Sequence, residues 1–235
     1  MYKQLVIITI YIFTHFSHML AQTPFEGKIV YDLLYPTTME EDPVTKKKAP
    51  KEKMTVTIYL KDQLMRMETK TATGTSVNIC DAKSGTCTAL SEMDGKKTAV
   101  VMSPEEIEEE EDNHTPDGEK PKAIKLDETK EIAGYVCKKE KIILSKKSSE
   151  TLMVYYTDKI KSNALNKNFY WVQRRCKRIQ GLVLQYEVQN AKGEVIYQLV
   201  AKEVSAEPVD FIKFTIPQGY QVADYEKEKK SAGKR

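Results

Sequence analysis

Side chains able to do acid–base, nucleophilic or metal chemistry are sparse in this 235-residue chain. Of its three histidines, His15 and His18 sit in an apolar N-terminal region, and only His114 lies beyond it. A Ser-His-Asp or Cys-His arrangement would therefore have to use His114, which is set in a run of acids. The sequence holds no HExxH and no glycine-rich phosphate loop. Carboxylates are plentiful, but no spacing singles out an acid–base pair. Glu105-Glu106 and Glu108 to Asp112 cluster the ligands a hard cation prefers. They lack the ligand spacing of an EF-hand loop, and a like-charge run reads as a solvated excursion. We expect no enzyme, no cofactor and no metal. Asn113-His114-Thr115 is a glycosylation sequon in a eukaryotic secretory host.

The four cysteines are the next candidates. In an exported chain they read as disulfides rather than as zinc ligands, since no CxxC occurs. Cys80 and Cys87 flank the turn-rich Asp81-Ala82-Lys83-Ser84-Gly85-Thr86. A tight turn at Lys83-Ser84 would place them directly opposite each other, whereas a bulge at Gly85 would shift the register by one. Cys137 and Cys176 would form the second pair.

Two constellations read as binding surfaces. Tyr31, Met54, Val56, Ile58, Met65, Met67, Met153 and Tyr155 lie on alternating segments and are the adaptable or amphipathic residues that line apolar pockets. The plain alternative is a core filled by its own side chains. From Leu165, the residues Phe169, Val172, Cys176 and Ile179 follow 4-3-4-3 spacing, the stripe of an amphipathic helix that Gly181 would stop. Its other face carries Trp171, Arg174, Arg175 and Arg178. That face suits an anionic membrane surface or an envelope protein partner, or is simply solvated with Trp171 stacked on an arginine.

The elements that would position these residues are mainly strands. Phe25 to Tyr35, Met54 to Leu60 and Leu64 to Thr69 alternate apolar and polar residues. Val77 to Cys80 with Thr86 to Leu90 forms a hairpin, and Asp94-Gly95 turns the chain into Thr98 to Met102. Gly134 to Leu144 and Leu152 to Tyr156 form the central hairpin, and Leu182 to Val188 pairs with Val195 to Ala201. Phe211 to Ile216 reads as the closing strand. About ten strands and a helix point to a strongly curved antiparallel sheet, an open half-barrel with a helix packed on one face.

Residues 1–21 have the basic start, short apolar centre and small final residue of a signal peptide. Its removal takes out one cation, Lys3, and lowers the formal charge from +3 to +2. So small an excess speaks against nucleic acid as a partner. No cysteine follows the apolar run to carry a lipid anchor. We expect a secreted or periplasmic chain with one β-rich domain over 22–223, charged loops at 37–53 and 103–122, and a disordered charged tail at 224–235.

Several motifs resemble a family of exported Gram-negative envelope proteins built on a domain of unknown function. They are Phe25-Glu26-Gly27-Lys28-Ile29, Tyr59-Leu60-Lys61 with Arg66-Met67-Glu68, Ile132-Ala133-Gly134-Tyr135-Val136-Cys137, Tyr156-Thr157, and Ile216-Pro217-Gln218-Gly219-Tyr220. Their order spans most of the chain beyond residue 21. That family is similar to the LolA/LolB-like lipoprotein carriers, whose open half-barrel holds acyl chains beneath helices. The resemblance implies a lipid or other hydrophobic ligand and supplies no catalytic residues. This chain departs from the carriers in having one clear helix and an added acidic excursion. A module that meets an envelope protein through a filled core's surface is the competing expectation.

Overall fold

A computed structural model describes residues 24–35, 54–72, 74–93, 95–114, 121–143, 150–165, 179, 181–226 and 229. Twelve strands form one open sheet: β1 (Gly27–Leu34), β2 (Met54–Lys61), β3 (Leu64–Lys70), β4 (Thr75–Asp81), β5 (Thr86–Met93), β6 (Lys96–Met102), β7 (Lys122–Ile132), β8 (Tyr135–Ile143), β9 (Thr151–Thr157), β10 (Leu182–Gln189), β11 (Val195–Ser205) and β12 (Gln221–Asp224). Among the described residues one α-helix, α1 (Pro104–His114), follows β6. The spatial order is β12-β6-β5-β4-β3-β2-β1-β11-β10-β9-β8-β7. Two antiparallel meanders, β1–β6 and β7–β11, are thus joined where β11 pairs with β1. β12 runs parallel to its neighbour, β6. The expected class, a mainly β, open, curved antiparallel sheet, is what forms.

Alternation decides which side of each strand is inside. Ile29, Tyr31 and Leu33 of β1 are buried in register with Val56 and Ile58 of β2. The same face continues the other way through Leu199, Tyr186, Val154 and Glu140, successive partners on β11, β10, β9 and β8. Burial of this face makes the main core, and each large apolar side chain there contributes roughly 1.5–3 kcal/mol. The opposite face of β4–β6 has its own cluster of Val77, Ile79, Leu90 and Ala99, covered by Val209 and Phe214 from the segment after β11.

Four elements differ from the expectation. The stretch expected as a charged loop at 103–122 opens with α1. Ser103 Oγ accepts from the Glu106 backbone, and Glu106 Oε2 accepts from the Ser103 N–H at 2.7 Å, a reciprocal capping box with Pro104 at the first helical position. Ile107 anchors the helix in the main core. Phe211–Phe214 is a 3-10 turn rather than a strand, because Asp210 Oδ1 takes the Ile212 N–H at 2.9 Å and turns the chain. β12 ends at Asp224, the first residue of the expected disordered tail. Tyr225 is buried, and Lys229 pairs with Glu109 at 3.0 Å. Gly181, expected to stop a helix, opens β10 at a close approach: a Cβ there would meet the Thr157 carbonyl oxygen at 2.3 Å. The segment expected as the amphipathic helix lies almost wholly outside the described residues, and 1–21 and 37–53 lie wholly outside them.

Candidate functional site

Six of the eight expected pocket positions converge. Tyr31, Met54, Val56, Ile58, Met65 and Met67 share the inner face of β1–β3 by register. Five of them are buried and Met54 is half-buried: Ile58 and Met65 are 0% exposed, and Tyr31 donates its hydroxyl to Val183 O at 3.0 Å. Met153 and Tyr155 are a correction. On β9 Leu152, Val154 and Tyr156 share the inner face, while Met153 and Tyr155 pair with Glu187 and Gln185 on the other face, where Tyr155 is still buried and joins the main core cluster. With a period of two, reading the strand one residue off selects the opposite face.

That other face carries a polar network. Tyr155 donates to Glu128 Oε1 at 2.6 Å, and Lys139 Nζ donates to Glu128 Oε2 at 2.7 Å. A register shift in β7 between Leu126 and Thr129 lets Glu128 reach across β8 to β9. The ammonium groups of Lys139 and Lys130 stand 5.1 and 5.5 Å from the Tyr155 ring centroid. Lys130 also donates to Gln185 Oε1, and Gln185 to Glu187. Lys139 holds the Glu128 carboxyl below its ordinary range, with help from Tyr155. Burial pushes the Tyr155 phenol up, and the Glu128 charge adds to that. Each named group has a partner of opposite charge or polarity, and Tyr155 and Gln185 are themselves buried.

On the inner face a second tyrosine meets a carboxylate. Tyr156 donates to Glu140 Oε1 at 2.8 Å, with Glu140 only 5% exposed. Burial, then the Glu140 contact, pushes the Tyr156 hydroxyl up to about 12. Among the described residues, no three His, Cys, Asp or Glu side chains gather in a way that would hold a metal ion.

Cys80 and Cys87 are directly opposite on β4 and β5 and form a disulfide. The hairpin loop is Ala82 to Gly85, and Gly85 at φ 77° fits its last position without shifting the register. The second expected pair falls partly outside the described residues. Cys137 is a free buried thiol that donates to Tyr135 O, and Cys176 lies outside the described residues. So do Trp171, Arg174, Arg175 and Arg178.

Reading from sequence missed an adjacent pair of exposed bulky apolar residues. Phe211 and Ile212 are 60% and 67% exposed at the tip of the 3-10 turn. The turn is rigidly held. Arg66 Nη1 donates to Lys213 O at 2.9 Å, Thr215 Oγ1 donates to Ile212 O at 2.8 Å, and Phe214 is buried against the sheet. Read with a period of two, these residues look like a half-buried strand. In the 3-10 turn Phe214 is buried while Phe211 and Ile212 are left exposed.

No family model matches this chain, and no curated protein matches it. Solved structures do align with it. The structure of PNGF-II in P21 space group gives a TM-score of 0.49 at 14% identity, over 88% of this chain and 32% of that one. An uncharacterized conserved protein from Thermus thermophilus gives 0.48 at 10% identity, over 85% and 91%. The Pseudomonas aeruginosa MucA/MucB complex gives 0.46 at 9% identity, over 84% and 58%. This chain spans less than two thirds of the length of the first and third. All three scores lie below 0.5, and no function is drawn from them. Among the described residues no helix is long and apolar enough to cross a membrane.

Proposed function

We propose that this chain is an exported, non-catalytic interaction module of an oxidising compartment such as the periplasm, binding a protein partner through its surface. One observation carries the reading. The inner-face side chains of β1–β3 are largely buried, while Phe211 and Ile212 project from a turn held by three hydrogen bonds and a buried phenylalanine. Rigid, exposed bulky apolar residues are typical anchors for a partner, since little order is lost when they dock. The Cys80–Cys87 bridge supports an oxidising location. Holding a lipid beneath the sheet, which the resemblance to lipoprotein carriers implies, would require the residues that bury this face to move away.

The test replaces Phe211 with a photo-crosslinking phenylalanine in the exported chain and maps adducts in whole envelopes. We expect one protein to be crosslinked, and its affinity for purified chain to fall about 30-fold or more in Phe211→Ser with Ile212→Ser. Circular dichroism should show both variants folded, because neither side chain is in the core. A stoichiometric lipid adduct in native mass spectra, with no protein crosslink, would overturn the proposal in favour of a carrier.

A further inference from the structure

A surface groove of about 510 Å³ lies where the chain enters β1, at a place none of the expected pocket residues marks. Its apolar surface comes from Pro24, Phe25, Ala206 and Pro208. Lys159 and Lys161 also line it. Ile160 between them is buried in the main core, while both lysines are exposed. The Phe25 N–H donates to Lys161 O at 2.6 Å and ties this segment to the start of β1. Of the groove's two acids, Glu26 is engaged by Lys61 Nζ at 2.6 Å and the Val209 N–H at 2.8 Å. Glu207 lies in the field of Lys28. Among the described residues no carboxylate pairs with the Lys159 or Lys161 ammonium groups.

We infer that this groove binds a small amphiphilic anion, a carboxylate or phosphate head on a short apolar body. With Glu26 paired to Lys61, and Asp158 beside Lys159 paired to Lys138, two lysines face one groove carboxylate, Glu207, so the groove keeps a positive excess that disfavours a cationic ligand. Rigid proline rings and Phe25 give the apolar body a surface that is already ordered. The volume suits a small ligand rather than a folded partner. Such a head reaches the site equally as a free metabolite or as part of a single-chain lipid. This inference is independent of the partner surface at Phe211.

The experiment is isothermal titration of the intact chain below the micelle concentration of each probe. The probes are decyl phosphate, hexyl phosphate, inorganic phosphate and decyltrimethylammonium. We expect one decyl phosphate per chain, weakened at least about tenfold in Lys159→Glu with Lys161→Glu and in the groove-filling Ala206→Trp. All three substituted groove sites are exposed, and Phe211→Ser with Ile212→Ser should bind the probe like the unaltered chain. Decyl phosphate far tighter than hexyl phosphate assigns a lipid-like ligand, and equal affinity assigns a small metabolite. Three results would overturn the inference: decyltrimethylammonium binding as tightly, the double lysine variant binding undiminished, or inorganic phosphate alone matching decyl phosphate.

Discussion

At the scale of single residues, the Tyr156–Glu140 pair and the Cys137 thiol show what burial does to titratable groups. Glu140 takes its hydrogen bond from Tyr156 and has almost no contact with water. Tyr156→Phe should therefore destabilise the fold by about 1–3 kcal/mol at neutral pH, measured by urea unfolding. The pH dependence has a definite sign. The folded Tyr156 holds its proton up to about 12, against an ordinary value of 10.0, so its contribution is intact below pH 10. It drains away as pH rises from 10 toward 12, because the unfolded chain ionises first. Tyr156→Phe should lose less stability than the unaltered chain across that window, and an equal loss would refute the assignment. Burial likewise pushes the Cys137 thiol up to about 11, with Lys130 opposing it. In a Cys176→Ser background, Cys137 should resist alkylation at pH 8 until the protein is unfolded. Rapid labelling of the native protein would refute its burial.

At the scale of elements, the β4–β5 hairpin and α1 are clipped in different ways. The Cys80–Cys87 bridge closes a short loop, so Cys80→Ser with Cys87→Ser should cost about 2.5 kcal/mol in unreduced chemical denaturation. Ser103→Ala removes half of the capping box and should cost about 1 kcal/mol, read as faster amide exchange in α1. Strands with one apolar face were legible in sequence because alternation and turn residues agree, as in Met54 to Leu60 and around Ala82 to Gly85. β7 was not, because most of KAIKLDETKEI is exposed and its charges give no apolar face to count. α1 was read as a loop from its acids, although Ser103-Pro104-Glu105-Glu106 carried the signature of a helix start. The inner half of the proposed pocket was legible from alternation. That its side chains are largely buried was not, since periodicity tells which face is inside and not what covers it.

At the scale of the whole molecule, the pairing of β1 with β11 decides whether two meanders make one protein. It joins residues far apart in sequence, from Lys28↔Ser205 to Leu34↔Gln198. Two ion pairs cross it, Lys28–Glu203 and Lys202–Asp32, and both are too exposed to hold it by themselves. The buried row through Tyr31, Leu33, Leu199 and Ala201 does most of that, and Tyr31 reaches past β11 to the Val183 carbonyl on β10. Gly27 sits at the end of this seam. A Cβ there would meet the Ser205 carbonyl oxygen at 2.1 Å and the Phe25 ring at 2.8 Å, so β1 and β11 must part for any larger residue. Gly27→Ala should therefore destabilise the chain by more than about 2 kcal/mol. If the seam makes the sheet a single cooperative unit, hydrogen exchange will register that loss equally in β4 and in β9, on opposite sides of it. Protection lost in one meander and kept in the other would mean that each half folds by itself and that the seam only docks them. The buried inner face would then be an interface between two parts, able to open without unfolding either, and a ligand could enter beneath the sheet after all.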